Sequence, residues 1–189
     1  IGYSAGSFEG IYDGSGKTIS NLKINTFNTS VGLFSETESG SEIKNLRLLN
    51  PDSISVTGEE NVGSLAGTNR GIITKCSSNC NVNSRNTAGC LVGSNEGTIS
   101  LSYAAGHVTS TGDEYSGFGF GGLAGGNSGT ITNCYARGKV TANEYVGGLV
   151  GGNYGGFIEF CYSTGKVTGT ANTGGLTGDN PGYISYWDI

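Results

Sequence analysis

The feature that most constrains this chain is a recurrence. Gly63-Ser-Leu65, Gly89-Cys-Leu91, Gly121-Gly-Leu123, Gly147-Gly-Leu149 and Gly174-Gly-Leu176 place a leucine at successive spacings of 26, 32, 26 and 27 residues. Four residues after each leucine stands an asparagine: Asn69, Asn95, Asn127, Asn153 and Asn180. A second column, Ile73, Ile99, Ile131, Ile158 and Ile184, extends backwards to Ile43 and Ile19, and a third runs through Val56, Val82, Val108, Val140 and Val167. Strands of a few residues between glycine turns cannot each bury an apolar face alone, so each unit must stack on its neighbours. The expected fold is an all-β solenoid, a right-handed parallel β-helix of about seven rungs with three short strands per rung, forming a rod roughly 30 Å long.

Composition supports this and removes alternatives. The 36 glycines follow no G-X-Y period, so collagen is excluded. Methionine is absent, and no long apolar stripe of helical period occurs, so helix should be nearly missing. One domain is expected over 1–189, with divergent rungs in 1–60 and regular repeats in 61–189. The wider spacing between Leu91 and Leu123 is read as an inserted loop at 111–118. A net charge of -5 without clustered Lys or Arg disfavours nucleic acid as a partner. No apolar run of about 18 residues is present, so membrane insertion is not expected. The opening Ile1-Gly2-Tyr3 carries no signal peptide, and an excised or processed part of a longer protein is expected. Five cysteines without a paired CxxC spacing give no zinc site, and no cofactor is implied.

Candidate functional residues follow from the columns. In the second strand Leu22, Leu46, Cys76, Ser102, Cys134, Cys161 and Trp187 should point inward, and Lys23, Arg47, Ser77, Tyr103, Tyr135, Tyr162 and Asp188 outward. The asparagine column is read as a structural ladder, each amide bonding turn backbone and its own copies above and below. Tyr103, Tyr135 and Tyr162 should form an outward aromatic stripe able to stack on sugar rings or anchor a protein partner. A self-stacking ladder that stiffens the sheet is the other reading. His107, Lys139 and Lys166, each followed two residues later by a threonine, read as a solvated strip, and Arg70 should pair with Glu96. Cys134 and Cys161 should be stacked buried thiols, whereas Cys80 and Cys90 are close enough for a disulfide. Asp113-Glu114 in the inserted loop is read as solvated and not as a calcium site. The apolar Tyr183, Tyr186 and Trp187 form an end plate for a neighbouring domain or an identical subunit.

Gly-Gly-Leu149-Val-Gly-Gly-Asn153, followed by Phe160-Cys161-Tyr162-Ser-Thr-Gly165-Lys-Val167, and the entry segment from Phe8 to Ile19 resemble the GLUG repeat family. GLUG repeats occur in large bacterial surface and secreted proteins, among them adhesins and regions beside the catalytic part of IgA-specific metallopeptidases. The resemblance implies an extracellular or cell-surface setting. No HExxH occurs in this chain, its single histidine stands apart, and Asp13, Asp52, Asp113, Asp179 and Asp188 fall in different columns. The expected role is therefore a structural or adhesive module without catalysis. Its partners would be a neighbouring domain or subunit at the ends and a host or surface glycan or protein along the side. A self-assembling subunit of an extracellular fibre and a carbohydrate-binding or carbohydrate-active β-helix are the alternatives.

Overall fold

The computed structural model describes residues 6–50, 53–112 and 119–185. Among these every regular element is a strand and every pairing is parallel. Successive coils stack in register: Asn95 lies beside Asn69 and Asn127, Ile99 beside Ile73 and Ile131, and Val108 beside Val82 and Val140. The chain is a parallel β-solenoid of six complete coils and the opening strand of a seventh, Tyr183–Ser185.

Each coil has four faces and not three. An isoleucine sheet of eleven strands is followed by a valine sheet of six, a short sheet of four, and an asparagine sheet of six. The short sheet, Thr87–Gly89, Gly119–Gly121, Val146–Gly147 and Thr173–Gly174, is continued towards the first coils by bridges Val31 to Val62 and Val62 to Ala88. Its strands are two or three residues long and its inward column mixes Val, Ala, Phe and Thr, so no periodic signature marked it.

The isoleucine sheet is bent in coils three to six, which splits each crossing into two short strands such as Thr98–Ser100 and Tyr103–Ala104. The bend is carried by one backbone column in the left-handed region: Asn45, Lys75, Leu101, Asn133 and Phe160 all have φ between 50° and 55°. Asparagine visits this region readily; leucine, lysine and phenylalanine do not. The first coil departs from the expected register. Tyr12, and not Ile19, pairs with Ile43; Ile19 pairs with Leu48; and Lys17, not Leu22, pairs with Leu46. An irregularity between Asp13 and Lys17, which contains Gly14, Ser15 and Gly16, shifts that strand.

The core is a set of stacked apolar columns. Leu65, Leu91, Leu123 and Leu149 are fully buried, as are Ile73, Ile99 and Ile131 and the valines Val56, Val82 and Val140. At one corner the first glycine of each Gly-x-Leu unit is fixed by its own turn, because a Cβ on Gly147 would meet the carbonyl oxygen of Val150. The outermost described coil is more open: Cys161, Val167, Leu176 and Ile184 are only partly buried.

Candidate functional site

The asparagine column lies inside the solenoid at the corner between the asparagine and isoleucine sheets. Asn69, Asn95, Asn127 and Asn153 are essentially buried, and Asn180 is exposed at the last coil. Each Nδ2 donates to the Oδ1 of the next coil's asparagine at 2.8 Å, from Asn69 through Asn95, Asn127 and Asn153 to Asn180. The same amides also donate to turn carbonyls, those of Gly71, Gly97, Gly129 and Gly156, at 3.0 to 3.3 Å. The ladder begins one coil earlier than the asparagines, since the Thr37 hydroxyl donates to Asn69 Oδ1 at 2.8 Å. Sequence reading missed Thr37 because a hydroxyl replaces the amide. All donors point towards the C-terminal coils, so the ladder is polar as well as continuous.

Outside the isoleucine sheet, Arg47, Ser77, Tyr103, Tyr135 and Tyr162 form one outward column in consecutive coils. The three tyrosine rings stack face to face, with centroids 4.9 and 5.1 Å apart and interplanar angles of 2° and 9°. Their inner faces are therefore occupied by each other, and the stiffening stack is the geometry present. A sugar cannot stack between them; what the stack offers is its edge and its two end faces. Arg137 lies over Tyr135 at 4.7 Å from the ring centroid, and the Tyr162 hydroxyl beside it pushes the guanidinium pKa further up. A second outward stack pairs Phe157 with Tyr183 at 5.0 Å. Tyr183 is thus half of a side-face stack; Tyr186 and Trp187, the other end-plate residues, lie outside the described residues, as does Asp113-Glu114.

At the N-terminal end of the tyrosine stack the column drops to Ser77 and then rises to Arg47. A cleft of about 400 Å³ opens there, lined by Ser15, Gly16, Asn45, Leu46, Arg47, Lys75 and Ser77. The Asp13 carboxylate on the neighbouring bulge is held below its usual pKa by the Asn45 amide at 3.0 Å and by the Ser15 N–H at 2.7 Å. The ion pairs of the described residues are Lys44 with Glu42, Arg70 with Glu36 and Glu96, and Arg85 with Glu59; Arg47 and Lys75 are not among them. Arg70 therefore bridges two coils, its expected partner Glu96 at 3.2 Å and Glu36 at 2.9 Å, and holds the Glu36 carboxyl below its usual pKa.

The remaining expected sites are placed as follows. The His107 ring accepts the Lys139 backbone N–H at 3.0 Å, which ties the cationic strip to the valine-sheet edge. All five cysteines are free thiols. Cys80 and Cys90 are not bridged: Cys90 Sγ instead lies 3.3 Å from the Cys80 carbonyl oxygen, and both thiols are sealed in the core. Burial pushes the Cys76 thiol up to about 11 and Cys90 up to about 12. Cys134 and Cys161 are stacked as expected, with Cys161 Sγ accepting the Cys134 N–H at 3.3 Å. The Cys134 thiol beside it holds Cys161 below the usual thiol range, and Cys134 is itself driven up. No cluster of three His, Cys, Asp or Glu able to hold a metal occurs among the described residues.

Residues 116–141 and 142–168 match the family model for the GLUG motif. Each match spans one coil, running from the short sheet through the asparagine and isoleucine sheets to the valine sheet. The chain thus carries two GLUG repeats. Over 91 residues it is 38% identical to Halomucin from Haloquadratum walsbyi, a match that covers 48% of this chain and 1% of that protein. The chain thus corresponds to a very small part of that relative. No solved structure matches.

Proposed function

We propose that this solenoid is a structural and adhesive module of an extracellular or cell-surface protein and that it performs no catalysis. The observation that carries this reading is the in-register stacking of the interior columns from the second coil onwards, with the asparagine ladder bonded coil to coil at 2.8 Å. Such an interior commits the polar groups it buries to holding one coil on the next, and leaves chemistry to the outward columns. The GLUG matches and the Halomucin likeness support a surface setting for a repeat of this kind.

Two measurements test it. Proteolytic shaving of intact source cells should release peptides of this chain; their recovery only after lysis would overturn the surface setting. Beads coated with the folded chain should be retained under flow on at least one polysaccharide-coated surface, compared with beads carrying heat-denatured chain. Equal retention of both bead types on every coat would remove the adhesive part.

The end-to-end reading rests on a different observation. The strands Ile24–Asn25 and Thr177–Asp179 are each paired along one edge only among the described residues, and their free edges carry unpaired backbone groups. A neighbouring domain or an identical subunit is the proposed cover. Light scattering that gives a monomer at high concentration would eliminate the identical subunit.

A further inference from the structure

We propose that the gap in the outward column between Arg47 and Tyr103 is a binding slot for a sugar ring that carries an anionic group, a uronate or a sulfated pyranose. The proposal deepens the adhesive reading and rests on it.

The slot is made by one small residue among large ones. Ser77 pairs in register with Arg47 on one side and with Tyr103 on the other. Two strand steps separate the latter two, about 9–10 Å along the column. Ser77 is buried at the floor and its side chain is too short to cover either wall. Because the Tyr103 ring is parallel to that of Tyr135, within 2°, one of its faces is spent on the stack and the other looks along the column over Ser77. That face is apolar and electron-rich, which suits the C–H side of a pyranose. The backing by Tyr135 and Tyr162 fixes its orientation, so little side-chain freedom is lost on binding.

The opposite wall and rim are cationic. Arg47 and Lys75 both line the cleft, and both are exposed. Neither takes part in an ion pair of the described residues. The Asp13 carboxylate accepts from the Asn45 amide and the Ser15 N–H and forms no ion pair with Arg47 or Lys75. Lys75 stands at the bend, φ 52°, and lines the cleft. A guanidinium facing a carboxylate or sulfate makes paired, charge-assisted hydrogen bonds, and an ammonium adds a point charge. Ser15, Asn45 and Ser77 supply hydroxyl and amide partners for ring hydroxyls. The cations and polar groups that line the cleft, with the Tyr103 ring in register one strand beyond Ser77, select an acidic saccharide over a neutral one.

The test uses the full chain and three probes: a galacturonate tetrasaccharide, a sulfated galactose disaccharide and a neutral galactose tetrasaccharide, titrated by calorimetry and by backbone amide NMR. Expected are binding of one or both acidic probes, none of the neutral one, and shifted amides centred on residues 75 to 77 and 103. The relative strength of the two acidic probes separates a uronate ligand from a sulfated one. Arg47→Ala should weaken binding about tenfold or more, as loss of a charged hydrogen bond does. Tyr103→Ser, which repeats the serine already tolerated at Ser77, should weaken it with the solenoid's circular dichroism unchanged. Lys166→Ala, in the exposed strip beside the valine sheet, should leave it unaltered. The slot is refuted by absence of binding to either acidic probe at millimolar concentration, by equal affinity for the neutral probe, or by Arg47→Ala binding like the parent. Coated beads that still adhere to an acidic polysaccharide when they carry Arg47→Ala would keep the adhesive reading and discard the slot.

Discussion

Replacing Asn127 with alanine removes the middle of the ladder, and the cost can be worked bond by bond. The Asn127 amide accepts from Asn95 at 2.8 Å and donates to Asn153 Oδ1 at 2.8 Å and to the Gly129 carbonyl at 3.3 Å. After truncation Asn95 Nδ2 still has the Gly97 carbonyl at 3.2 Å, and the Gly129 carbonyl still accepts from Phe157 N at 2.8 Å. Asn153 Oδ1 is left without that donor while fully buried. One orphaned acceptor costs about 1–3 kcal/mol, and the small cavity adds to it, so a loss of about 2–4 kcal/mol is expected. If the coils melt together, that lowers the melting temperature by roughly 4–16 °C. Thermal and urea unfolding followed by far-ultraviolet circular dichroism measure it. Asn180→Ala, at the exposed end of the same ladder, is the internal comparison and should cost less than about 1 kcal/mol. Asn127→Asp sharpens the test, since an ionised carboxylate can accept from Asn95 but cannot donate to Asn153. Burial would raise its folded pKa above that of the unfolded chain, so the variant's stability deficit should shrink as pH falls below the folded value, where the protonated acid can donate again. An Asn127→Ala protein within about 0.5 kcal/mol of the parent, or an equal loss at Asn180, would refute the ladder as a source of stability.

Two further outcomes are expected. Leu101→Asn should raise stability by about 0.5–1 kcal/mol, because exposed Leu101 sits at φ 50° in the bend column where Asn45 and Asn133 already stand; a lower melting temperature would refute strain at this position. Under native conditions iodoacetamide should label Cys161 before any other cysteine, with a rate that rises with pH through a midpoint below the ordinary thiol value; peptide mapping that finds Cys76 or Cys90 labelled first would contradict it.

What was legible in the sequence is what stacking forces to repeat. The leucine, asparagine, isoleucine and valine columns recur because each must meet its own copy one strand away, and the structure places them in register from the second coil onwards. The fourth face escaped because a strand of two residues has no periodicity, and its core position accepts Val62, Ala88, Phe120 and Val146 alike. The bend escaped for the opposite reason: geometry recurs there while residue type does not, with Lys75, Leu101 and Phe160 taking a conformation their side chains disfavour. In the first coil the bulge after Asp13 moved the register by a distance no spacing could disclose. The outward direction of Tyr103, Tyr135 and Tyr162 was legible from alternation, but the closing of their faces on each other was not, since that depends on side-chain torsions.

The contrast between inner and outer columns also locates where such a protein can vary. An interior position is answerable to the coil before and the coil after, so replacing one amide of the ladder disturbs its neighbours on both sides. An outward position is answerable only to packing along its own column, and there Arg47, Ser77 and three tyrosines share one register without disturbing the backbone pairing beneath them. A notch such as that over Ser77 therefore costs the solenoid little, because the strands below it are already held by the ladder and the apolar columns. Recognition by this fold should accordingly be written in the order of large and small residues along an outward column, and not in the coils themselves.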